Sequence, residues 1–588
     1  MKDELLYIKS IWMYTIGCIS KKQKEYLMSK KNKKSDPMSA SEVTVYLFRI
    51  LVTTYVCVFF LAMPLFYHDK YYDIGDFKYS MFMYITVSFL SMAAIMLAVY
   101  IFTLFTEKKV NAASIKSLIR SLSVIDWFVI AFAVASILSY LFSPSRTNEF
   151  PVFYLFRGGV DSPVVNLPWE GYKGWNMGLR SQLVFCAVYF LVSRLFMKSW
   201  RKDFLFISLT TAFIVFLFGV LHRFHIDPLG LYENLQEYHM IKFLSTLGQS
   251  SWYSSFMVVL LPIGMAFFEF RQRRLTVTNV LLAAFVAMGG ATFVTQNSDS
   301  AYLAFATIVT VLFALAFTSN DHFLNFMEMM IIMLGSMKII GIFQILFPDK
   351  ASQLDSLSFF VSKSFVTWIL LAVLIAFYVF IKKVFNKGSY KINEHKTLRN
   401  VLVGLIIACL PLGIIIGYLN TKGMLPTSAL QGVEYLTFND AWGNNRGYTW
   451  RNTIELMQEP LWRSMALTGP GPDCYAAVAY AVEPRASAMQ QFWAGEVVVC
   501  CHNEWLNMLF DEGILGFISY MGIFVSSAIV FMKKCDNPVA AAGVAAIFGY
   551  FFHNLFCYQQ ILCTPMIFCV IALCEWVRRT PDALEPDT

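Results

Sequence analysis

Charge is what this chain has least of. Asp, Glu, Lys and Arg make up 15% of its 588 residues and hydrophobic residues 57%, where a soluble chain of this length carries about a quarter charged residues. That scarcity excludes a soluble globular protein. The devices of nucleotide chemistry are also missing: there is no P-loop, and no Gly-x-Gly-x-x-Gly run preceded by a strand. ATP-driven transport and nucleotide-sugar chemistry are therefore poor fits. No Cys-x-x-Cys pair offers metal-ligand spacing, and no cleavable signal is visible at the start. The twelve cysteines do not make a disulfide scaffold, because Cys57, Cys186, Cys409, Cys563 and Cys569 lie inside apolar runs. There a cysteine serves as a small buried hydrophobe. Cys474, Cys500 and Cys501 fall in a polar loop, where Cys474 could bridge either of the other two.

What the chain has in quantity is apolar runs of roughly 18–25 residues, the length that spans a bilayer as a helix. Its 55 Phe, 29 Tyr and 13 Trp supply material for interfacial aromatic belts. The pattern predicts an all-α polytopic membrane protein of about fourteen transmembrane helices. They are expected near 44–67, 80–105, 124–143, 181–198, 203–221, 251–270 and 276–294. The remainder fall near 300–318, 329–347, 361–381, 399–418, 514–532, 538–557 and 559–577.

The net charge of +8 does not indicate a nucleic-acid partner, because the basic residues cluster beside apolar runs. There they hold loops in the cytoplasm. With the basic N-terminus inside, Lys108, Lys109, Lys116 and Arg120 face the cytoplasm, as do Lys198, Arg201 and Lys202. Arg271, Arg273 and Arg274 follow, then Lys382, Lys383, Lys387, Lys391, Lys396 and Arg399, then Lys533 and Lys534, then Arg578 and Arg579. The ninth span contains Lys338, but without it the six-charge loop at 382–399 would face outward. The expected organisation is a basic cytoplasmic segment 1–43 and eleven spans over 44–418. A large external loop 419–503, three spans within 504–577 and a cytoplasmic tail 578–588 complete it. The localisation expected is a cell membrane, crossed many times, with both termini cytoplasmic. A weakly amphipathic stretch, Leu5–Ile19, is expected on the membrane surface.

Residues 419–503 form by far the longest external segment, and loops beyond about 15 residues are uncommon unless functional or disordered. This one is rich in aromatics and Gly. From Trp442 it reads WGNNRGYTWRNTIELMQEPLW. Trp450, Ile454 and Met457 recur at helical spacing as an apolar stripe, with Arg451, Glu455 and Gln458 as a separate polar one. Arg446 lies between Gly443 and Gly447, where backbone can approach a ligand closely. Two arginines beside an apolar stripe suit an anionic amphiphile such as a lipid diphosphate, since guanidinium binds phosphate as a fork and stays charged. The plainer alternative pairs both arginines with Asp440, Glu455 or lipid headgroups. LTGPGPDCY, from Leu467, reads locally as a rigid connector. His502 opens a helical pattern, where a helix N-terminus disfavours imidazolium and keeps the ring able to accept a proton. His553 and Asn554 read as supporting packing near the outer end of the thirteenth span.

Four blocks in order then resemble the O-antigen ligase family, which is grouped with lipid-linked polysaccharide polymerases, in its longer Gram-positive-type members. They are GWNMGLRSQLVF from Gly174, STLGQSSWYSSFMVVLLPIG from Ser245, TQNSDSAYLAF from Thr295, and the loop series. That last series runs WGNNRGYTWRNTIELM, LTGPGPDCY, CHNEWLNMLFDEGILGFISY. The resemblance covers residues 170–575. It implies transfer of a glycan from undecaprenyl diphosphate to an acceptor hydroxyl on a glycan or cell-envelope molecule, outside the membrane and without nucleotide, metal or other cofactor. Membrane lipids are the surrounding partner. By position, Arg446 and Arg451 would hold the diphosphate and His502 would activate the acceptor or assist the leaving group. Asn503, Trp450, Gly469, Gly471 and Glu512 would support them. The chain departs from the family at Ser298-Asp299-Ser300, where many members carry Ser-Arg-Gly. Either Arg180 supplies that charge or the donor is held differently. Ligase and polymerase differ only in acceptor, and both stay open. The alternative class is a polysaccharide exporter or flippase, which would carry charges through the bundle interior and an internal repeat.

Overall fold

The computed structural model describes residues 38–580 except 111–115, 118, 148–152, 158–159, 165–167, 173, 389, 426–432 and 482, together with residue 583. The stretch Leu5–Ile19 lies outside the described residues.

Polar residues at the ends of apolar runs decide where helices start. Ser39 and Glu42 form a reciprocal capping box at the start of α1 (Ala40–Leu65), and Ser123 and Asp126 do so for α3 (Val124–Leu141). Between them runs α2 (Ile74–Thr106). The chain continues through α4 (Leu179–Leu195), α5 (Arg201–His222), α6 (Ser250–Glu269), α7 (Val277–Thr295) and α8 (Ser300–Ala316). Then come α9 (Asn320–Leu346), α10 (Phe365–Asn386) and α11 (Lys396–Thr421). In the large loop α12 (Trp442–Leu456) precedes three short helices, Pro460–Ser464, Tyr475–Ala479 and Arg485–Phe492. The chain closes with α13 (Glu504–Asp511), α14 (Gly513–Met532), α15 (Pro538–His553) and α16 (Thr564–Arg579). Strand is confined to two antiparallel pairs among the described residues, Phe153–Arg157 with Val160–Val164 and Phe243–Leu244 with Gly248–Gln249.

The protein is thus an all-α polytopic membrane protein. Ten of the described helices are long and apolar enough to cross a bilayer, and α8 and α15 are shorter apolar helices. A helix also lies at the two other expected positions, α4 and α16.

The core forms around α15, which packs on α6 and α8. Its residues Ala540–Ile547 are all buried. A side chain at Gly549 would meet Val258 O and Ile308 Cδ1, both at 2.8 Å. Such small residues let helices pack backbone to backbone where apolar burial gives no preference for protein over lipid. At the periphery, α10 and α11 leave nearly all of their apolar surface uncovered.

Two lysines inside the helices are satisfied largely by carbonyls. Lys338 Nζ, the charge within the ninth expected span, donates to Ser362 O (3.1 Å), Ser364 O (2.8 Å) and Thr367 Oγ1 (2.5 Å). Lys78 donates to Met63 O (2.7 Å) and Pro64 O (3.1 Å) at the end of α1, where the helix dipole favours a cation.

Polar contacts sort the connections into two ends. At one, Ser41 binds Glu107 (2.5 Å), Arg194 and Arg579 converge on Asp126, and Arg273 binds Asn325 (2.9 Å) and Glu328. At the other, Thr246 binds Pro64 O (2.6 Å), Tyr172 N binds Asp473 (2.7 Å) and Trp252 binds Tyr558 (3.0 Å). The large loop belongs to this second end.

Candidate functional site

The segment Gly443-Asn444-Asn445 has φ of 61°, 60° and 69°, a left-handed stretch that Gly and Asn adopt most readily. The regular part of α12 therefore begins at Arg446. A side chain at Gly447 would lie 1.9 Å from Asn439 O, so the helix start can sit against the preceding strand of loop only without one. Arg446 Nε donates to Phe556 O (3.1 Å) and Nη1 to Gly443 O. This ties the arginine to the connection between α15 and α16. Trp450 secures the same union, with its ring stacked 5.7 Å from Phe556 and its Nε1 donating to Cys501 O (2.9 Å).

His502 sits one residue before Asn503, whose Oδ1 accepts from Leu506 N (3.0 Å) and caps α13. The imidazole meets the Tyr558 ring edge-to-face at 5.3 Å, and its Nδ1 lies 4.0 Å from Cys500 Sγ. Tyr558 is fixed by Trp252 Nε1 (3.0 Å) and donates to Gln249 Oε1 (2.9 Å). Cys500 and Tyr558 also lie within electrostatic range of Arg446. His502 and Arg446 are each partly exposed at the edge of this group. Desolvation, and then the Arg446 charge, push the His502 imidazolium down to about 4. At neutral pH the ring is uncharged and can accept a proton.

Behind the histidine lies a layer of carboxyls. Glu504 accepts from Tyr520 (2.6 Å), from Tyr550 (2.9 Å) and from Asn554 Nδ2. His553 bridges Ser255 (3.1 Å) and Ser300 (3.2 Å) and joins Asn554 Oδ1 (2.9 Å). A cavity of about 30 Å³ is lined by Asp473, Glu504, Asp511, Glu512, Gln182 and Gln559 among others, with no Lys or Arg in its wall. That is room for one or two waters. Four carboxyls without a cation resist ionisation. Burial raises Asp473 and Glu504 to about 7 each from ordinary values of 3.8 and 4.5. The unfolded chain releases these protons first, so stability is greatest below those ordinary values and falls as pH rises toward 7. The thermal midpoint in detergent should therefore drop between about pH 4 and 7 and then level. Asp473→Asn, which keeps an oxygen for Tyr172 N and Met177 N, should make the slope shallower. An unchanged slope would show that Asp473 ionises normally.

Arg446, Trp450, His502 and Asn503 come together. Arg451 does not join them: it is half-exposed and forms ion pairs with Asp440 (2.8 Å) and Glu455 (3.1 Å). Arg180 is bonded to Tyr79 OH (2.5 Å) and Glu170 (3.3 Å) instead. Asp299 accepts from Tyr435 OH (2.6 Å), and its charge reaches Arg446.

Packing sharpens four local features. Of the apolar stripe on α12, Trp450 and Met457 are partly buried against the loop's core and Ile454 is exposed, while Thr449, Asn452, Thr453 and Leu456 are covered. The reason is that Thr449 and Thr453 hydroxyls bond carbonyls one turn back in their own helix (3.2 and 2.7 Å), which lets them be buried. LTGPGPDCY is no plain connector. A side chain at Gly469 (φ 67°) would lie 2.3 Å from Asp511 O, and one at Gly471 (φ 126°) 2.5 Å from Ser143 Oγ. Cys474, Cys500 and Cys501 are free and buried. His553 and Asn554 belong to the carboxyl layer, bonded to Glu504 through Asn554, and are more than packing. The sequence signals for this layer were a glutamate two residues past His502 and two polar residues ending an apolar helix. Glu512, for its part, accepts from Ser136 Oγ at 2.6 Å.

No family model matches this chain, and no curated protein matches it.

Proposed function

We propose that this chain is a membrane glycosyltransferase, a ligase or polymerase that moves a glycan from a polyprenyl-diphosphate donor to an acceptor hydroxyl. In this reading about fourteen helices cross the membrane, both termini are cytoplasmic, and the site faces outward. The observation that carries it is that His502 packs on Cys500 and Tyr558 while Arg446, bonded to Phe556 O, lies within electrostatic range of all three, at the bundle end opposite the basic connections.

The chemistry follows from those two groups. Arg446 holds the donor diphosphate, and the acceptor hydroxyl gives its proton to a nitrogen of His502. The hydroxyl oxygen bonds to the anomeric carbon while the bond from that carbon to the phosphate oxygen breaks. The departing diphosphate keeps the electron pair, and Arg446 stabilises its growing charge. The donor bond is already activated, so positioning and charge stabilisation are the work left to the protein. A bound diphosphate also opposes the influence of Arg446 on His502, so the base strengthens once the donor is in place.

The test is transfer in proteoliposomes given a lipid-diphosphate glycan and an acceptor. A new glycosidic bond is expected. Donor crossing the bilayer with no new bond would point to an exporter instead. Orientation has its own test. Ser464 is exposed in Pro460–Ser464 and Lys534 is exposed between α14 and α15. A membrane-impermeant maleimide on intact cells should label Ser464→Cys and spare Lys534→Cys. The reverse pattern would invert the arrangement and remove the site from the outer face.

A further inference from the structure

A large apolar recess lies at the other end of the bundle from Arg446 and His502. It has a volume of about 430 Å³ and a wall that includes Phe267, Val539, Ala542 and Leu573, from α6, α15 and α16. Sites for small organic ligands run from about 300 to 1,000 Å³. The same wall carries Arg201 and Lys202, the first two residues of α5. Lys202 is exposed, and Arg201 Nη1 donates to Lys198 O (3.1 Å). The wall of the recess on α15 is built partly from small residues, Ala542 and Gly543. A side chain at Gly543 would lie 2.3 Å from Cys574 Sγ, so α15 and α16 close its floor directly.

A water-filled apolar recess of this size is unfavourable, and within a bilayer the abundant apolar filler is a lipid tail. Cations on the rim add selectivity to the filler, because basic residues between helices at a membrane surface attract anionic headgroups. We infer that this recess is a binding site for one anionic phospholipid, its tail against Phe267, Ala542 and Leu573 and its phosphate beside Arg201 and Lys202. The site is independent of the transfer chemistry, since none of its residues belongs to the Arg446–His502 group.

The experiment uses the full chain reconstituted in nanodiscs of equal phosphatidylglycerol and phosphatidylcholine, then released for native mass spectrometry. Wild type should retain one phosphatidylglycerol in clear excess over phosphatidylcholine. Lys202→Glu should cut the retained phosphatidylglycerol at least fivefold with little effect on phosphatidylcholine. Val539→Trp, which fills the recess from α15, should lower retention of both lipids. Matching elution in size exclusion would show that both variants fold. Equal retention of the two lipids by wild type, or unchanged retention in either variant, would overturn the assignment. So would a dimer that Val539→Trp dissolves, because the recess would then hold a second copy of this chain.

Discussion

Replacing His502 by alanine should lower glycan transfer by about 10²–10⁴-fold, the usual worth of a positioned general base. The fold should survive the change. Asn503, not His502, caps α13, and the imidazole's contacts are with the Tyr558 ring and Cys500. The pH profile separates a base from a merely structural ring. In the free protein His502 is pushed down to about 4 by desolvation and the Arg446 charge. A base must be deprotonated, so kcat/KM, which reports the free protein, should fall only as pH drops through that low value. The acid limb of kcat reports the donor complex. It should lie at higher pH, because the bound diphosphate favours the imidazolium. His502→Ala should erase both limbs while leaving donor affinity within a fewfold of wild type. Transfer at the wild-type rate, or an acid limb that persists in the variant, would sink the assignment.

How much of this could be read beforehand depended on the length of the signal. Apolar runs and segregated basic clusters are properties of whole segments, and a helix appears wherever they predicted one. The choice between Arg446 and Arg451 rested on single residues and was not legible. Both stand in the same stretch, five positions apart, in similar company. What separates them is the left-handed turn at Gly443–Asn445, which aims Arg446 at Phe556. Arg451 points instead toward Asp440 and Glu455. Glu504 was hidden for a related reason. Its partners Tyr520, Tyr550 and Asn554 come from three places at the end of the chain, and no local spacing announces a set that only packing assembles. Thr449 and Thr453 show the same limit at smaller scale, since a hydroxyl that bonds its own helix can be buried where a polarity pattern expects exposure.

Arg446→Ala should weaken donor binding by about ten- to a hundredfold, the worth of one charge-assisted hydrogen bond at roughly 1.5–3 kcal/mol. Its present hydrogen-bond acceptors, Phe556 O and Gly443 O, are uncharged. An anion arriving beside this guanidinium therefore displaces no bonded carboxylate. Arg451 differs in that respect. It already holds Asp440 and Glu455 in exposed ion pairs, pairs of a kind worth at most about 1 kcal/mol. Arg451→Ala should change donor affinity by less than about threefold. Arg446→Lys should fall between wild type and alanine, because a lysine keeps the charge but loses the planar fork. Asp299 supplies the complementary case. Its carboxylate lies near enough to influence Arg446 and would repel a diphosphate there, so Asp299→Asn should tighten donor binding a fewfold. Equilibrium binding of a labelled polyprenyl diphosphate to the four variants decides the matter. A larger loss from Arg451→Ala than from Arg446→Ala would move the donor to the opposite face of α12. Unchanged affinity in Arg446→Ala would remove the diphosphate from this site, and with it the reason for a neutral histidine to stand beside an arginine.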